Sequence, residues 1–335
     1  MKRTSIKDIA QIAQVSVATV SYVLNNKEGQ KISEATKEKI FKIAESINYK
    51  PNKIAKSLKT NKTKLLGLIV ADISNEFYST LARKLENKAL KKGYTLIIGS
   101  SDENAEKFQM LIELFSQQQV DGLIIAPVAG SEVALNQLIK EEYPAVMIDR
   151  YINNTKIPAV LINNKEISEE ATQRLLDKDF DTIVYIGYQT TMPHLLDREK
   201  GFDSAILNSE KSVKTEKILV GIENTSDEVK NGIKNLLDNK VSNTALFFSS
   251  NKLAVAGLKY LLINNIKVPE EVSVIAFDET EAYNLFPTEI TYIKQPLEEM
   301  ADETITILDH LITDYKSLEK TKILSTQIIE GKSIK

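Results

Sequence analysis

The feature that most limits the fold is a regular alternation of short apolar runs with amphipathic segments from Lys64 onward. Four runs have the length and apolar content of buried parallel strands. They are Leu65–Ala71, Thr95–Gly99, Gly122–Ile125 and Ala145–Ile148. The segments between them, about 76–92, 104–118 and 131–140, have helical periodicity. Strands and helices that alternate in this way predict a mostly parallel sheet with helices on both faces.

A second series of the same kind follows the first along the chain. Its predicted strands are Ile183–Ile186, Ile218–Val220, Ala245–Phe248 and Val272–Ala276. Two consecutive series predict two doubly wound lobes in one α/β body. Such sheets bind ligands beyond the carboxyl ends of their strands, so we expect a ligand site in the cleft between the lobes.

The first 62 residues differ from this body in charge. They contain 13 Lys and Arg against 5 Asp and Glu, a net charge of +8, whereas the remaining 273 residues carry −11. A basic head on an acidic body indicates that the head contacts a polyanion such as nucleic acid. The alternative is a basic tail without a partner.

The head has the pattern of three short helices. Ser5 can cap a helix over Ile6–Ala13, and Gln14-Val15 then forms a turn before Ser16 caps a second helix. The apolar side of the second helix consists of Val17, Val20, Val23 and Leu24. A third helix is predicted from Ser33 to about Ile47. Two short helices joined by a tight turn predict a helix-turn-helix, whose second helix enters a major groove.

Several classes of protein are disfavoured by composition. The chain has no Cys and only two His, His194 and His310, so neither a catalytic site nor a metal site is predicted, and no cofactor. ADISNEF stands after the first strand in place of a Gly-rich phosphate loop, which argues against a nucleotide enzyme. No apolar run approaches the roughly 20 residues that span a bilayer. The N-terminus lacks an apolar signal core, so we expect a cytoplasmic protein without membrane contact.

A set of motifs in order along the chain resembles the lactose-repressor (LacI/GalR) family. They are VSVATVSYVLNN at 15–26, INYKPNKIAKSLKT at 47–60, LGLIVADISNEFY at 66–78, VDGLIIAP at 120–127, VMIDR at 146–150, VIAFDET at 274–280 and ITYIKQPLEEMA at 290–301. The resemblance covers nearly the whole chain. It implies a helix-turn-helix head and a hinge helix joined to a two-lobed body similar to periplasmic sugar-binding proteins.

The resemblance implies that the recognition helix reads bases with its first two residues and one a turn later. These positions hold Val17, Ala18 and Tyr22. Many relatives carry Arg at the third position, where it grips guanine, so Tyr22 predicts a different preference. Val17 either contacts thymine methyl groups or packs in the core of the head. For Tyr22, too, the alternative to base contact is packing in the core. Side chains suited to phosphate oxygens are Ser16, Thr19, Ser21 and Asn25.

The family's hinge helix corresponds to residues 51–62. In relatives it pairs with its dimer mate in the minor groove, where a leucine wedges the central base step. The positions implied here are Asn52, Ala55 and Leu58. The alternative for Leu58 is a linker residue that packs on the body.

The resemblance also carries effector-binding positions into the predicted cleft. They are Asp72, Phe77, Arg150, Arg198, Asn251 and Asp278. Each also has an ordinary structural use: an Asp at a strand end can cap a turn, and Arg150 can pair with Asp149. Where many relatives have Asp-Asn and Asn-Asp, this chain has Asn163-Asn164 and Asn251-Lys252. The lost acidic residues suggest the hypothesis of an anionic effector, such as a sugar acid or sugar phosphate.

These inferences predict a homodimeric repressor of carbohydrate-utilisation genes that binds a pseudo-palindromic operator and a small carbohydrate. Some relatives use a phosphoprotein corepressor, and the sequence leaves this open. The alternatives from other classes are a sugar-binding protein without gene regulation and an α/β enzyme. The predicted domains are the head at 1–50, the hinge at 51–62 and the body at 63–335. Within the body, lobe 1 is expected at about 63–160 and 291–320, and lobe 2 at about 161–290 and 321–335.

Overall fold

The structure is a computed structural model that describes residues 4–25, 32–49, 62–238, 243–315 and 320–335. The chain divides into two compact units, a head up to Thr63 and a body from Lys64 to Lys335. Within the described residues, no helix is both long enough and apolar enough to cross a membrane.

Three helices form the described part of the head. They are α1 (Ile6–Ala13), α2 (Val17–Leu24) and α3 (Glu34–Ser46). Ser5 and Asp8 cap the start of α1 reciprocally, because the Ser5 backbone N–H donates to the Asp8 carboxylate at 2.7 Å and the Ser5 hydroxyl accepts from the Asp8 N–H. Gln14 ends α1 in the left-handed conformation, with φ 56°, which produces the predicted turn.

A small apolar core closes the head. It consists of Ile9, Ala10, Ala13, Val20, Val23, Ile40 and Ala44. Val17 is absent from this core, and 42 % of its surface is exposed. The face of α2 that packs in the core is therefore narrower than the sequence predicted. Val17 lies in the first turn of the helix, outside the contact with α1 and α3.

The body contains two six-stranded sheets. Its strands are β1 (Leu65–Val70), β2 (Thr95–Ser100), β3 (Gly122–Ile125), β4 (Ala145–Ile148), β5 (Ala159–Ile162), β6 (Thr182–Tyr188), β7 (Lys214–Val220), β8 (Thr244–Phe248), β9 (Val272–Phe277), β10 (Thr291–Lys294), β11 (Lys322–Leu324) and β12 (Gln327–Ile329). The helices are α4 (Glu76–Lys91), α5 (Ala105–Gln117), α6 (Glu132–Lys140), α7 (Asn164–Leu176), α8 (Pro193–Asn208), α9 (Thr225–Asp238), α10 (Asn251–Ile263) and α11 (Leu297–Thr313), with a 3₁₀ helix at Glu281–Leu285.

The two sheets have equivalent topologies. The first has the order β11-β5-β4-β3-β1-β2 and is parallel throughout. The second has the order β12-β10-β9-β8-β6-β7, and only β12 is antiparallel to its neighbour. This confirms the predicted α/β class and the pair of doubly wound lobes.

The chain crosses between the sheets three times, at positions that correct the predicted lobe limits. β5 extends the first lobe to Ile162, and β10 belongs to the second sheet although lobe 1 was expected to resume at 291. Residues 321–335, expected to belong to lobe 2, contain two short strands on different sheets: β11 pairs with β5, and β12 pairs with β10. Between them, the Asn163 side chain accepts from the Thr326 backbone N–H at 3.0 Å and from its hydroxyl at 2.8 Å.

Candidate functional site

The second helix of the head presents a solvent-exposed N-terminal turn. Val17 and Ala18 are exposed there, and Tyr22, one turn later, is half-buried. The exposure of Val17 excludes the alternative that this residue packs in the head core, because a core side chain would be covered. The turn that joins α1 to α2 is held by the Lys39 ammonium, which donates to the Ala13 carbonyl at 3.0 Å.

The polar residues predicted to contact phosphates also hold the helix ends. The Ser16 hydroxyl accepts from the Thr19 backbone N–H at 3.0 Å, and the two hydroxyls lie 2.9 Å apart. At the other end of α2, the Asn25 amide donates to the Ser21 carbonyl at 2.8 Å. These contacts fix the two ends of α2. The predicted hinge positions Asn52, Ala55 and Leu58 lie outside the described residues.

The body holds a cavity between the two sheets, at the carboxyl ends of their strands. Five of the six predicted effector positions line it: Asp72, Phe77, Arg150, Arg198 and Asp278. Asn251 lies beside it, where its backbone N–H points to the Asp278 carboxylate at 3.4 Å. Residues distant in sequence meet here because parallel strands end at the same edge of each sheet.

Arg198 is the most firmly held of these side chains. It is 3 % exposed, and its guanidinium donates to the Asn164 side chain and to the Ser249 carbonyl, each at 2.7 Å. The face of the guanidinium lies 3.6 Å from the centroid of the Phe277 ring. Gly201 lets α8 approach α7, since a Cβ there would lie 2.2 Å from the Lys165 carbonyl oxygen. This close approach brings Arg198 within reach of Asn164.

Arg150 forms a two-point ion pair with a residue that sequence reasoning missed. Both terminal nitrogens donate to the Glu103 carboxylate at 2.7 Å. Burial disfavours the charge of Arg150, but its neighbours Tyr78 and Glu103 outweigh this and raise its pKa. The predicted alternative, a pair with Asp149, is a weaker contact of 3.8 Å.

Two aspartates, each directly after a strand, have the left-handed backbone conformation. Asp149 has φ 66° and Asp278 has φ 67°. Asp149 accepts from the Tyr78 hydroxyl at 2.7 Å, and burial raises its pKa although Arg150 and Arg198 oppose the shift. Asp278 accepts from the Gln295 side chain at 2.7 Å. Both carboxylates are thus held in place by a side chain from another element.

Asp72 and Phe77 contribute from the loop that precedes α4 and from its first turn. The Asp72 carboxylate accepts from the Ser74 backbone N–H at 2.9 Å and contacts the Lys252 ammonium of the other lobe. Burial raises the pKa of Asp72, but the hydrogen bonds from Lys252 and Ser74 outweigh it, so the pKa lies below its ordinary value. Phe77 is 6 % exposed and lies edge-on to Tyr78 at 5.0 Å.

His194 is a further cavity residue that the sequence reasoning did not place there. It lies in the first turn of α8 and is 3 % exposed. Burial, together with the charges of Arg150 and Arg198, lowers its pKa well below the ordinary value, so the imidazole is neutral. Its position four residues before Arg198, on the same helical face, was the signal that could have identified it.

Family models and relatives agree with this architecture. The model of bacterial regulatory proteins of the lacI family matches residues 5–52, and a periplasmic binding protein-like domain matches residues 172–334. The HTH-type transcriptional regulator RegA of Clostridium saccharobutylicum is 30 % identical over 98 % of this chain and 99 % of its own. Catabolite control protein A of Priestia megaterium is 29 % identical over 94 % of this chain and 93 % of its own.

The fold matches solved structures over the same length. The lac repressor dimer, bound to operator and the anti-inducer ONPF, superposes with a TM-score of 0.85 at 18 % identity, over 99 % of each chain. The helix-turn-helix head, the two-lobed body and these relatives together identify a DNA-binding transcriptional regulator. The chain belongs to the lacI family of bacterial regulatory proteins.

Proposed function

We propose that this protein is a homodimeric repressor of carbohydrate-utilisation genes whose operator affinity is set by a neutral, hydroxyl-rich carbohydrate bound between the lobes. Val17, Ala18 and Tyr22 read base edges in each half of a pseudo-palindromic operator. The effector acts by linkage, because it binds two arrangements of the lobes with different affinities.

The observation that carries the effector class is a set of buried polar atoms in the cavity lining that make no hydrogen bond, although Arg150 Nε lies 3.8 Å from the Asp149 carboxylate. Within the described residues, Arg150 Nε, His194 Nδ1 and Gln295 Oε1 are buried and lack a hydrogen-bond partner. Buried polar atoms are ordinarily satisfied, so these three favour a ligand that supplies hydrogen bonds. A hydroxyl group both donates and accepts, which suits the Arg150 donor and the Gln295 acceptor.

The pairing of charges favours a neutral effector over the anionic one that the sequence suggested. Arg150 is already bound by Glu103, and Lys252 contacts Asp72. Arg198 has only neutral oxygens as hydrogen-bond partners, but Asp149 and Asp278 line the same cavity. Among the described residues that line the cavity, four are carboxylates, and Arg198 is the cation that makes no ion pair with one of them. An added carboxylate or phosphate would therefore meet more negative charge than free positive charge.

Calorimetry on the full chain tests the effector class. Neutral mono- and disaccharides are titrated in parallel with sugar acids and sugar phosphates, with wild type and with Arg198→Met. We expect neutral sugars to bind wild type and to lose at least tenfold in affinity with the variant. Tight binding of sugar acids or phosphates, with no binding of neutral sugars, would instead establish the anionic hypothesis.

Operator mapping tests the DNA-binding part separately. Purified protein is incubated with genomic fragments, and the retained DNA is sequenced. We expect one palindrome of about 14–20 base pairs beside genes of sugar uptake or catabolism. Retention without a shared site, lost smoothly as salt rises, would contradict specific repression. A palindrome retained only with a phosphoprotein present would establish the corepressor alternative.

A further inference from the structure

One rim of the cleft is crossed by three consecutive contacts between the lobes. The Lys252 ammonium contacts the Asp72 carboxylate, and the Asn251 amide donates to the Asn75 side chain at 2.8 Å. Next to them, the Glu76 carboxylate accepts from the Glu281 backbone N–H at 3.1 Å and from the Thr280 hydroxyl. The start of α4 therefore faces the start of α10 and the 3₁₀ helix.

The position of Lys252 in its own helix is electrostatically unfavourable. It lies in the first turn of α10, where the helix macrodipole presents partial positive charge and a cation is unfavourable. Among the described residues, its carboxylate partner is Asp72, from the opposite lobe, 180 residues earlier in the chain. The contact with Asp72 compensates the unfavourable position of Lys252 only while the lobes are together.

Asp72 is prepared for this contact by its own loop. Its Oδ1 accepts from the Ser74 backbone N–H at 2.9 Å and from the Ser74 hydroxyl at 2.6 Å. These bonds fix the carboxylate so that Oδ2 faces Lys252. The Asp72 side chain is 21 % exposed and that of Lys252 is 44 % exposed, so the pair lies at the edge of the cleft and in contact with solvent.

A second place where the lobes touch has a contact of a different kind. There, the Tyr151 hydroxyl of lobe 1 donates to the Asp197 carboxylate of lobe 2 at 2.7 Å. Among the described residues, the ion pair between the lobes is the one between Asp72 and Lys252, and the Tyr151 contact has a neutral donor. All of these partners belong to the chain itself, so the contacts need no bound molecule.

We propose that Asp72 and Lys252 form an electrostatic latch that holds the lobes closed and sets how often the cleft opens to admit an effector. This assigns Asp72 to lobe closure and makes Lys252 a determinant of the open-to-closed equilibrium. The latch concerns the lobes alone and holds whichever effector the cavity takes.

The size of the effect follows from the exposure of the pair. Ion pairs at the surface shift an equilibrium by roughly two- to fivefold. Lys252→Met removes the charge and keeps the length of the side chain, so the open-to-closed ratio should rise by about that factor. Lys252→Asp places two carboxylates opposite each other and should raise the ratio at least about fivefold. Lys252→Arg keeps the pair and should leave the ratio unchanged.

Pulsed electron paramagnetic resonance on the full chain measures this ratio without any ligand. The chain has no native Cys, so Val133→Cys on α6 and Leu207→Cys on α8 place one spin label on each lobe. Both positions are well exposed, at 78 % and 86 %. Mixing with an excess of unlabelled chain suppresses distances between subunits.

We expect one dominant distance in wild type and Lys252→Arg, and a second population that grows from Lys252→Met to Lys252→Asp. Lys234→Asp is the matched control, because it breaks the Lys234–Asp238 pair within one lobe and should leave the distances unchanged. A Lys252→Asp distribution identical to wild type would overturn the latch. A Lys252→Arg distribution as altered as that of Lys252→Met would also overturn it, because packing would then be responsible.

Discussion

The α2 surface of the head and the cleft of the body present their candidate contact groups in opposite ways. On α2, Val17 and Ala18 are exposed, and the Ser16 hydroxyl and the Asn25 amide hydrogen-bond to the ends of their own helix. In the cleft, Arg198 and Asp278 are buried and bonded to residues from other elements. Substitutions on α2 should therefore change binding alone, whereas substitutions in the cleft should change binding and stability together.

The largest expected effect is on the stability of the body. Arg198→Ala leaves the Asn164 side chain and the Ser249 carbonyl without their donor and uncovers the Phe277 ring. We expect the free energy of unfolding to fall by about 3 kcal/mol. Chemical denaturation followed by circular dichroism measures this.

Arg174→Ala is the control, because Arg174 is a half-exposed residue of α7 whose ion-pair partners, Glu170 and Glu330, are both exposed. Arg174→Ala should lower the free energy of unfolding by less than about 1 kcal/mol. An equal decrease in the free energy of unfolding for the two variants would contradict the proposed difference between buried and exposed polar groups.

The opposite behaviour is expected on α2. Val17→Asp removes an exposed apolar contact and places a negative charge against DNA, while a carboxylate in the first turn suits the helix macrodipole. We expect operator affinity to fall by about a hundredfold with unchanged or slightly raised stability of the head. Fluorescence anisotropy with the mapped operator and hydrogen exchange of α2 amides report the two quantities.

Phe41→Asp provides the comparison within the head, because Phe41 is an exposed apolar residue of α3, with 47 % of its surface accessible. Its effect on operator affinity should be at least about tenfold smaller. An equal loss from both variants would show that general repulsion of DNA, and not the α2 surface, determines binding.

The pH dependence of stability should distinguish the two units through His194. The pKa of His194 in the folded body lies well below its ordinary value of 6.5, so below that pH the unfolded chain takes up a proton that the folded chain does not. Stability is therefore lost as the pH falls, by at most about 1.4 kcal/mol from pH 7.5 to 5.5. The head contains no His and should lack this slope.

His194→Asn checks this assignment. The variant should remove most of the difference in unfolding free energy between the two pH values, whatever its absolute stability. An unchanged pH dependence would mean that His194 is not the group responsible.

The smallest effect concerns the start of α1. Ser5→Ala removes the side-chain acceptor for the Asp8 backbone N–H and should raise the exchange rate of α1 amides by an amount equivalent to about 1 kcal/mol. Ser46→Ala is the control at a helix end, since the Ser46 hydroxyl donates only to the nearby Ile43 carbonyl. An equal change in exchange with Ser46→Ala would contradict the role assigned to the Ser5 cap.

Local patterns were sufficient for most of the elements. The caps at Ser5, Ser16 and Ser33 begin helices where the sequence predicts them, and β3 and β4 have the predicted limits. These features depend on neighbouring residues alone. Helical periodicity could not show that Val17 stays outside the head core, because a residue in the first turn satisfies the same spacing.

The pairings in the cleft could not be read from local patterns. Glu103 lies 47 residues before Arg150, and Asp72 lies 180 residues before Lys252. The two sheets alone bring these residues together, and nothing in their immediate sequence identifies the partner. The sequence also could not predict that β11 and β12 are separate strands on different sheets, because strands of three residues are too short to show a period.

The claim that α2 reads the operator is tested most directly by comparing the DNA sequences selected by wild type and by Tyr22→Arg. An arginine at this position can donate two hydrogen bonds to guanine. We predict that both proteins select palindromes with the same half-site spacing, and that the variant gains a G·C pair at one symmetric position in each half. Identical palindromes from the two proteins would contradict base reading by Tyr22 and by the surface to which it belongs.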